Sequence, residues 1–195
     1  MGAAADCEAI GTGFLGQPIN SMTTVAFLVI GAAVLIRRHD RMWIGASLIA
    51  TGIGSFLFHG PMPPGSEWAH DASLAWLLAL IGSAGTRWEA MSKTPALIVI
   101  GALFGVFPVI ADPVAVLLTG FAVISLLASN RSTTTWGPLA LVATAAVYGR
   151  LGATGGPLCD PEALYQPHGV WHVLAAVAVG WWAIQAPVAQ STTRR

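Results

Sequence analysis

Seven apolar segments recur along this 195-residue chain, at about residues 21–36, 43–59, 67–86, 95–111, 113–129, 135–150 and 168–186. A helix needs roughly 20 residues to cross a bilayer, with ~17 near the lower limit. Each segment reaches that length or comes near it. The pattern predicts an all-α, polytopic membrane protein: one domain over residues 1–195, folded as a bundle of seven transmembrane helices. Composition agrees. Hydrophobic residues make up 55% of the chain and charged residues only 9%, whereas a soluble domain carries about 25% charged residues. Formal net charge is zero, which argues against nucleic acid as a partner. No internal repeat or low-complexity segment is visible.

The fourth and fifth segments are joined only by Asp112–Pro113. A residue before proline resists α geometry, and proline suits a helix's first turn, so the break is expected there.

Basic residues orient the bundle. With the N-terminus outside, the inner linkers and C-terminus hold Arg37, Arg38, Arg41, Arg87, Lys93, Arg131, Arg194 and Arg195, and only Arg150 lies outside. That split follows the positive-inside rule and puts the C-terminus inside. Trp43, Trp88, Trp136, Trp181 and Trp182 gather near the inner ends, as an aromatic belt would. The basic cluster follows the first apolar segment rather than preceding it, which argues for a retained helix instead of a cleaved signal. Both cysteines then fall outside: Cys7 before the first helix, Cys159 in the loop before the seventh. Outside the cytoplasm a disulfide persists, so a Cys7–Cys159 bridge is expected.

Titratable groups collect at the same outer end. Ser55 and His59 close the second segment, His70 and Asp71 open the third, and "PHGVWH" opens the seventh with His168 and His172. Residues four apart share one helical face. Three neutral imidazoles at one depth (His59, His168, His172) suit zinc with a fourth position open. Bound zinc lowers the pKa of its water and polarises a carbonyl. Asp71 is placed to move a proton, and Ser55 to donate a hydrogen bond to a developing oxyanion. Taken singly, Asp71 also reads as a helix cap and Ser55 as a serine bonded to its own helix backbone. His39 sits beside Arg38, Asp40 and Arg41 and reads as a solvated inner loop.

Together "GSFLFH", Asp71 and "HGVWH" resemble the signature of the alkaline ceramidase family. That family belongs to a wider group of seven-helix membrane hydrolases, with the progestin and adiponectin receptor relatives and the hemolysin III type proteins. Their pattern is S-x-x-x-H, an aspartate, then H-x-x-x-H on the last helix. "DCEAIGTGFLGQPINSMTTVAF" also resembles the ceramidase N-terminus. The resemblance implies zinc on the three histidines, Asp71 as acid and base, and a membrane lipid substrate. Ceramide would be cleaved at its amide to a fatty acid and a sphingosine-like base. It also implies calcium near the N-terminus, with Asp6 and Glu8 at matching positions. Gln17 stands where a further acidic residue is expected, and a lost carboxylate weakens a site for a hard cation.

Two other classes fit the same residues: a non-catalytic lipid sensor with structural zinc, and a zinc-dependent lipid esterase. Compact loops suggest a bacterial inner membrane with the site toward the periplasm. Oligomeric state, acyl-chain length and head group are not legible in the sequence.

Overall fold

Prolines and glycines set most helix limits in this chain. The computed structural model describes residues 2–90, 93–129 and 133–185. Pro18 opens α1 (Pro18–Thr23), which runs through Thr24 into α2 (Val25–Arg37). α3 (Met42–His59) stops at Gly60. Gly65, at φ 86°, precedes α4 (Ser66–Ser83); that left-handed turn favours glycine. α5 (Lys93–Val106), α6 (Ala111–Ser129), α7 (Thr133–Leu151) and α8 (Pro167–Gln185) complete the fold. There is no strand among the described residues.

The break between α5 and α6 lies earlier than Asp112–Pro113. Phe107 leaves helical geometry (φ −129°, ψ 68°) and Pro108–Ile110 forms a short 3-10 turn. The rule is the expected one acting on a different proline: Phe107 precedes Pro108 and is pushed out of the α region. Asp112 and Pro113 lie inside the first turn of α6, where a missing N–H leaves no bond unmade.

Among the described residues three helical stretches, not seven, are long and apolar enough to cross a membrane. They are Pro18–Arg37 (20 residues, mean hydropathy 2.1), His39–His59 (21 residues, 1.4) and Pro108–Ala128 (21 residues, 2.1). α5 is apolar but shorter. The rest lose hydropathy for visible reasons. α4 opens with Ser66, Glu67, His70 and Asp71, α7 opens with three threonines, and α8 opens with its two histidines.

α2 packs between α3 and α8, α3 against α4, α4 against α6, and α7 against α8. α5 lies on the flank of α4. Phe27, Val34, Leu48, Leu77, Leu80 and Trp182 fill the core. Arg37, Arg38, Arg41 and Lys93 sit at one end of the bundle, while the end of α3 and the starts of α4 and α8 form the other. Of the basic residues counted above, Arg131, Arg194 and Arg195 lie outside the described residues.

Residues 2–17 form a strap across that second end. Cys7 and Cys159 are bonded (S–S 2.08 Å), fixing the strap to the α7–α8 loop. Thr154 receives the Cys7 N–H at 3.0 Å and donates its hydroxyl to the Ala4 carbonyl at 2.6 Å.

Candidate metal centre

Two glycines bring the site helices together. A Cβ on Gly54 of α3 would meet the Ala69 carbonyl oxygen at 2.6 Å, so α3 and α4 approach there backbone to backbone. A Cβ on Gly169 of α8 would meet Thr23 Oγ1 at 3.1 Å, so α8 lies tight against α1. These contacts set Ser55 and His59 on one side and His168 and His172 on the other.

The three histidine rings form a closed triangle. Ring centroids are 4.9 Å apart for His59–His168, 5.3 Å for His59–His172 and 4.5 Å for His168–His172. One nitrogen of each lies within 4.8 Å of the others. Among the described residues this is the group of His, Cys, Asp or Glu side chains so placed. His59 and His172 are fully buried and His168 is largely so.

Each ring spends its Nδ1 on a different oxygen. His59 Nδ1 meets Gln17 Oε1 at 2.6 Å. His168 Nδ1 meets Asp6 Oδ1 at 3.2 Å. His172 Nδ1 meets Thr23 Oγ1 at 3.1 Å. Two of these oxygens are fixed as acceptors. Gln17 Nε2 donates to the carbonyls of Ala3 (2.9 Å) and Glu8 (2.7 Å), which orients its Oε1 toward the ring. The Thr23 hydroxyl donates to the α1 carbonyls of Asn20 (2.9 Å) and Ile19 (3.0 Å), leaving a lone pair for the imidazole. A carboxylate accepts by nature. All three Nδ1 atoms therefore carry the proton, and all three Nε2 atoms present a lone pair. His59 Nε2 and His168 Nε2 are buried without a partner. Neutral imidazoles held by outer oxygens, with bare nitrogens converging, are the donor set of a metal site.

Of the residues expected to carry chemistry, Ser55 touches the cluster and Asp71 pairs with His70 beside it. Ser55 Oγ lies 3.2 Å from His172 Nε2, so its bond runs to the cluster rather than to its own helix. Asp71 lies in the second turn of α4, away from the cap, and its Oδ1 accepts from His70 Nδ1 at 2.9 Å. His70 stacks on Phe58 (4.8 Å) and its ring lies 6.1 Å from that of His59.

Asp6 and Glu8, the positions expected at a calcium site, do not share a task. Asp6 faces His168, and burial raises its carboxyl to about 6 against the pull of His70. Glu8 closes the N-terminus of α1, accepting the Ile19 N–H at 2.7 Å and the Asn20 N–H at 2.8 Å. Between them Cys7 occupies a positive-φ turn (φ 72°, ψ −50°) closed by Glu8 N–H to Asp6 C=O at 3.0 Å. That form of γ-turn is rare and strained, and it sends the two carboxylates in different directions. Gln17 and Thr23, the partners of His59 and His172, carry no motif or spacing that marks them for that role in the sequence.

No family model, curated protein or solved structure matches the chain.

Proposed function

We propose that this chain is a zinc-dependent integral membrane hydrolase of the alkaline ceramidase type, cleaving a lipid amide into a fatty acid and a sphingosine-like base. The observation that supports it most is the shared orientation of the three imidazoles, Nδ1 outward and Nε2 inward. On this reading the seven apolar segments all cross the bilayer, the less apolar ones shielded by their neighbours. The strap lies outside, in a bacterial periplasm, and Arg38, Arg41 and Lys93 face the cytoplasm.

His59, His168 and His172 would hold zinc through Nε2. Bound there, zinc lowers the pKa of a water toward ~7 and polarises the scissile carbonyl. Asp71 takes the proton from the attacking water and returns it to the amine as the C–N bond breaks. His70 keeps that carboxylate in place through its 2.9 Å bond. With His172 Nε2 given to zinc, the Ser55 hydroxyl would be free to donate to the carbonyl oxygen as negative charge develops there. Calcium is not part of the proposal, because Glu8 already spends both carboxylate oxygens on backbone N–H groups.

The test uses purified protein and a panel of ceramides and lipid esters, with and without a chelator, and products identified by mass spectrometry. Chelator-sensitive release of fatty acid from ceramide supports the amidase. Release from esters alone makes it an esterase. No turnover, with zinc bound, makes the zinc structural in a lipid sensor.

A further inference from the structure

The opposite end of the bundle carries a second feature that the hydrolase reading does not use. An apolar trough of about 180 Å³ runs along α3, α4 and α5, lined by Trp43, Ala46, Ser47, Ala50, Trp76 and Leu97. At Trp43 and Leu80 it meets a smaller polar pocket that includes Asp40, Arg41, Glu89 and Lys93. The two together form a slot with a charged mouth and an apolar body.

The mouth carries three cations, Arg38, Arg41 and Lys93, against two carboxylates, Asp40 and Glu89. Asp40 gives both oxygens to Arg38, at 2.9 and 2.7 Å. Glu89 accepts from Arg41 at 3.3 Å and from the Gly85 N–H at 2.6 Å. Arg41 is 7% exposed and held over the Trp182 ring; its Nε lies 3.8 Å from Asp40 Oδ2, beyond hydrogen-bond reach, and has no hydrogen-bond partner. Lys93 makes no ion pair among the described residues. Farther in, Ser47 is 7% exposed and its Oγ is also partnerless. α3 and α5 both begin at this end, so their dipoles add positive potential. Uncommitted N–H donors call for an anion, and the body calls for a hydrocarbon chain.

We infer that this slot binds one anionic glycerophospholipid, its phosphate between Arg41 and Lys93 and one acyl chain along the Trp43–Ala50–Trp76 trough. Ser47 then donates to a glycerol or ester oxygen below the phosphate. Trp43, 40% exposed, sits at the level of the headgroup, where indoles prefer to lie. The site is separate from the metal centre. It rests on the chain lying in a bilayer and is independent of the proposed hydrolysis.

Native mass spectrometry of the full chain, released from detergent with added phosphatidylglycerol, tests it. One retained phosphatidylglycerol per chain is expected, with diacylglycerol of the same chains not retained and glycerol 3-phosphate unable to displace it. Lys93→Gln breaks no ion pair and should weaken retention about fivefold, the effect of one basic side chain on an anionic lipid. Ala46→Phe should block the trough and abolish retention while metal content stays the same. Arg41→Gln should weaken retention further, and Lys93→Gln and Ala46→Phe decide the matter if that variant does not fold. Equal retention of diacylglycerol, displacement by glycerol 3-phosphate, or unchanged retention in both Lys93→Gln and Ala46→Phe overturns the site. Carbonate-resistant sedimentation with membranes reads bilayer insertion separately, so failure of that premise is told apart from failure of the slot.

Discussion

Gln17 and His59 are joined twice: the Gln17 backbone N–H donates to the His59 carbonyl at 2.7 Å, and His59 Nδ1–H donates to Gln17 Oε1 at 2.6 Å. The same amide ties down the strap through the carbonyls of Ala3 and Glu8. One side chain thus fixes both the tautomer of a candidate metal ligand and the cover over it. Gln17→Leu should lower zinc affinity about 10–100-fold, as loss of an outer partner of a ligating histidine does. Gln17→Glu keeps an acceptor for His59 and removes both donors to the strap. It should retain most zinc affinity while lowering Tm. Competition with a metal indicator and a thermal melt separate the two, and a Gln17→Leu protein with wild-type affinity would contradict the assignment.

The second prediction concerns the bridge. Cys7 lies beside Asp6, and Asp6 holds His168. Opening the Cys7–Cys159 bond releases the strained turn at Cys7 and frees Asp6 to leave the ring. Reductant should therefore speed zinc loss to a chelator, and Cys7→Ser should do the same without reductant. Stability should also fall, by at most ~5 kcal/mol for so long a closed loop. Zinc release at an unchanged rate in reductant would show that the strap holds without its bridge.

The pH response of Asp6 gives a third test. Its carboxyl is raised from 3.8 to about 6 by burial. The folded state then binds the proton more tightly than the unfolded one. Its contribution to stability is full below 3.8 and is lost as pH rises through about 6. In zinc-free protein, wild type should lose stability relative to Asp6→Asn between those values. The comparison cancels the histidines that do not touch Asp6; His168, 3.2 Å from it, is the exception. Parallel melting curves over that range would place the titration elsewhere.

Much of the site was legible because helical spacing is local. His168 and His172 share a face by being four apart, and Ser55 and His59 do the same. Turn chemistry was legible to within a few residues, with Pro108 acting where Pro113 was expected. The histidines' outer partners were not legible. Asp6 and Gln17 reach them only because an irregular strap folds back over the bundle, and no periodicity reports such a path. Thr23 reaches His172 because Gly169 lets α1 and α8 approach, a contact between helices at opposite ends of the sequence. Among the described residues hydropathy marks three spans rather than the seven expected, because α4 and α8 carry the site's polar groups in their first two turns.

The last prediction separates the roles of Asp71, His70 and Ser55. Asp71→Asn preserves the shape of the pair with His70 but removes the group proposed to move the proton. Zinc should stay bound and the loss should fall on kcat. His70→Ala leaves the carboxylate and removes the imidazole that holds it at 2.9 Å. It should lower kcat less than Asp71→Asn does, because proton transfer survives with a looser base. Ser55→Ala removes the donor proposed for the developing oxyanion and should cost ~10–1000-fold in kcat. It also removes the contact at His172 Nε2, 3.2 Å in length, so zinc affinity should hold or rise as that nitrogen is freed. His59→Ala, His168→Ala and His172→Ala should each lose zinc and activity together. Elemental analysis beside steady-state kinetics on a ceramide distinguishes these outcomes. If Asp71→Asn turns over at the wild-type rate with zinc in place, the base is another group, and Glu67, one turn earlier on α4, is next to test.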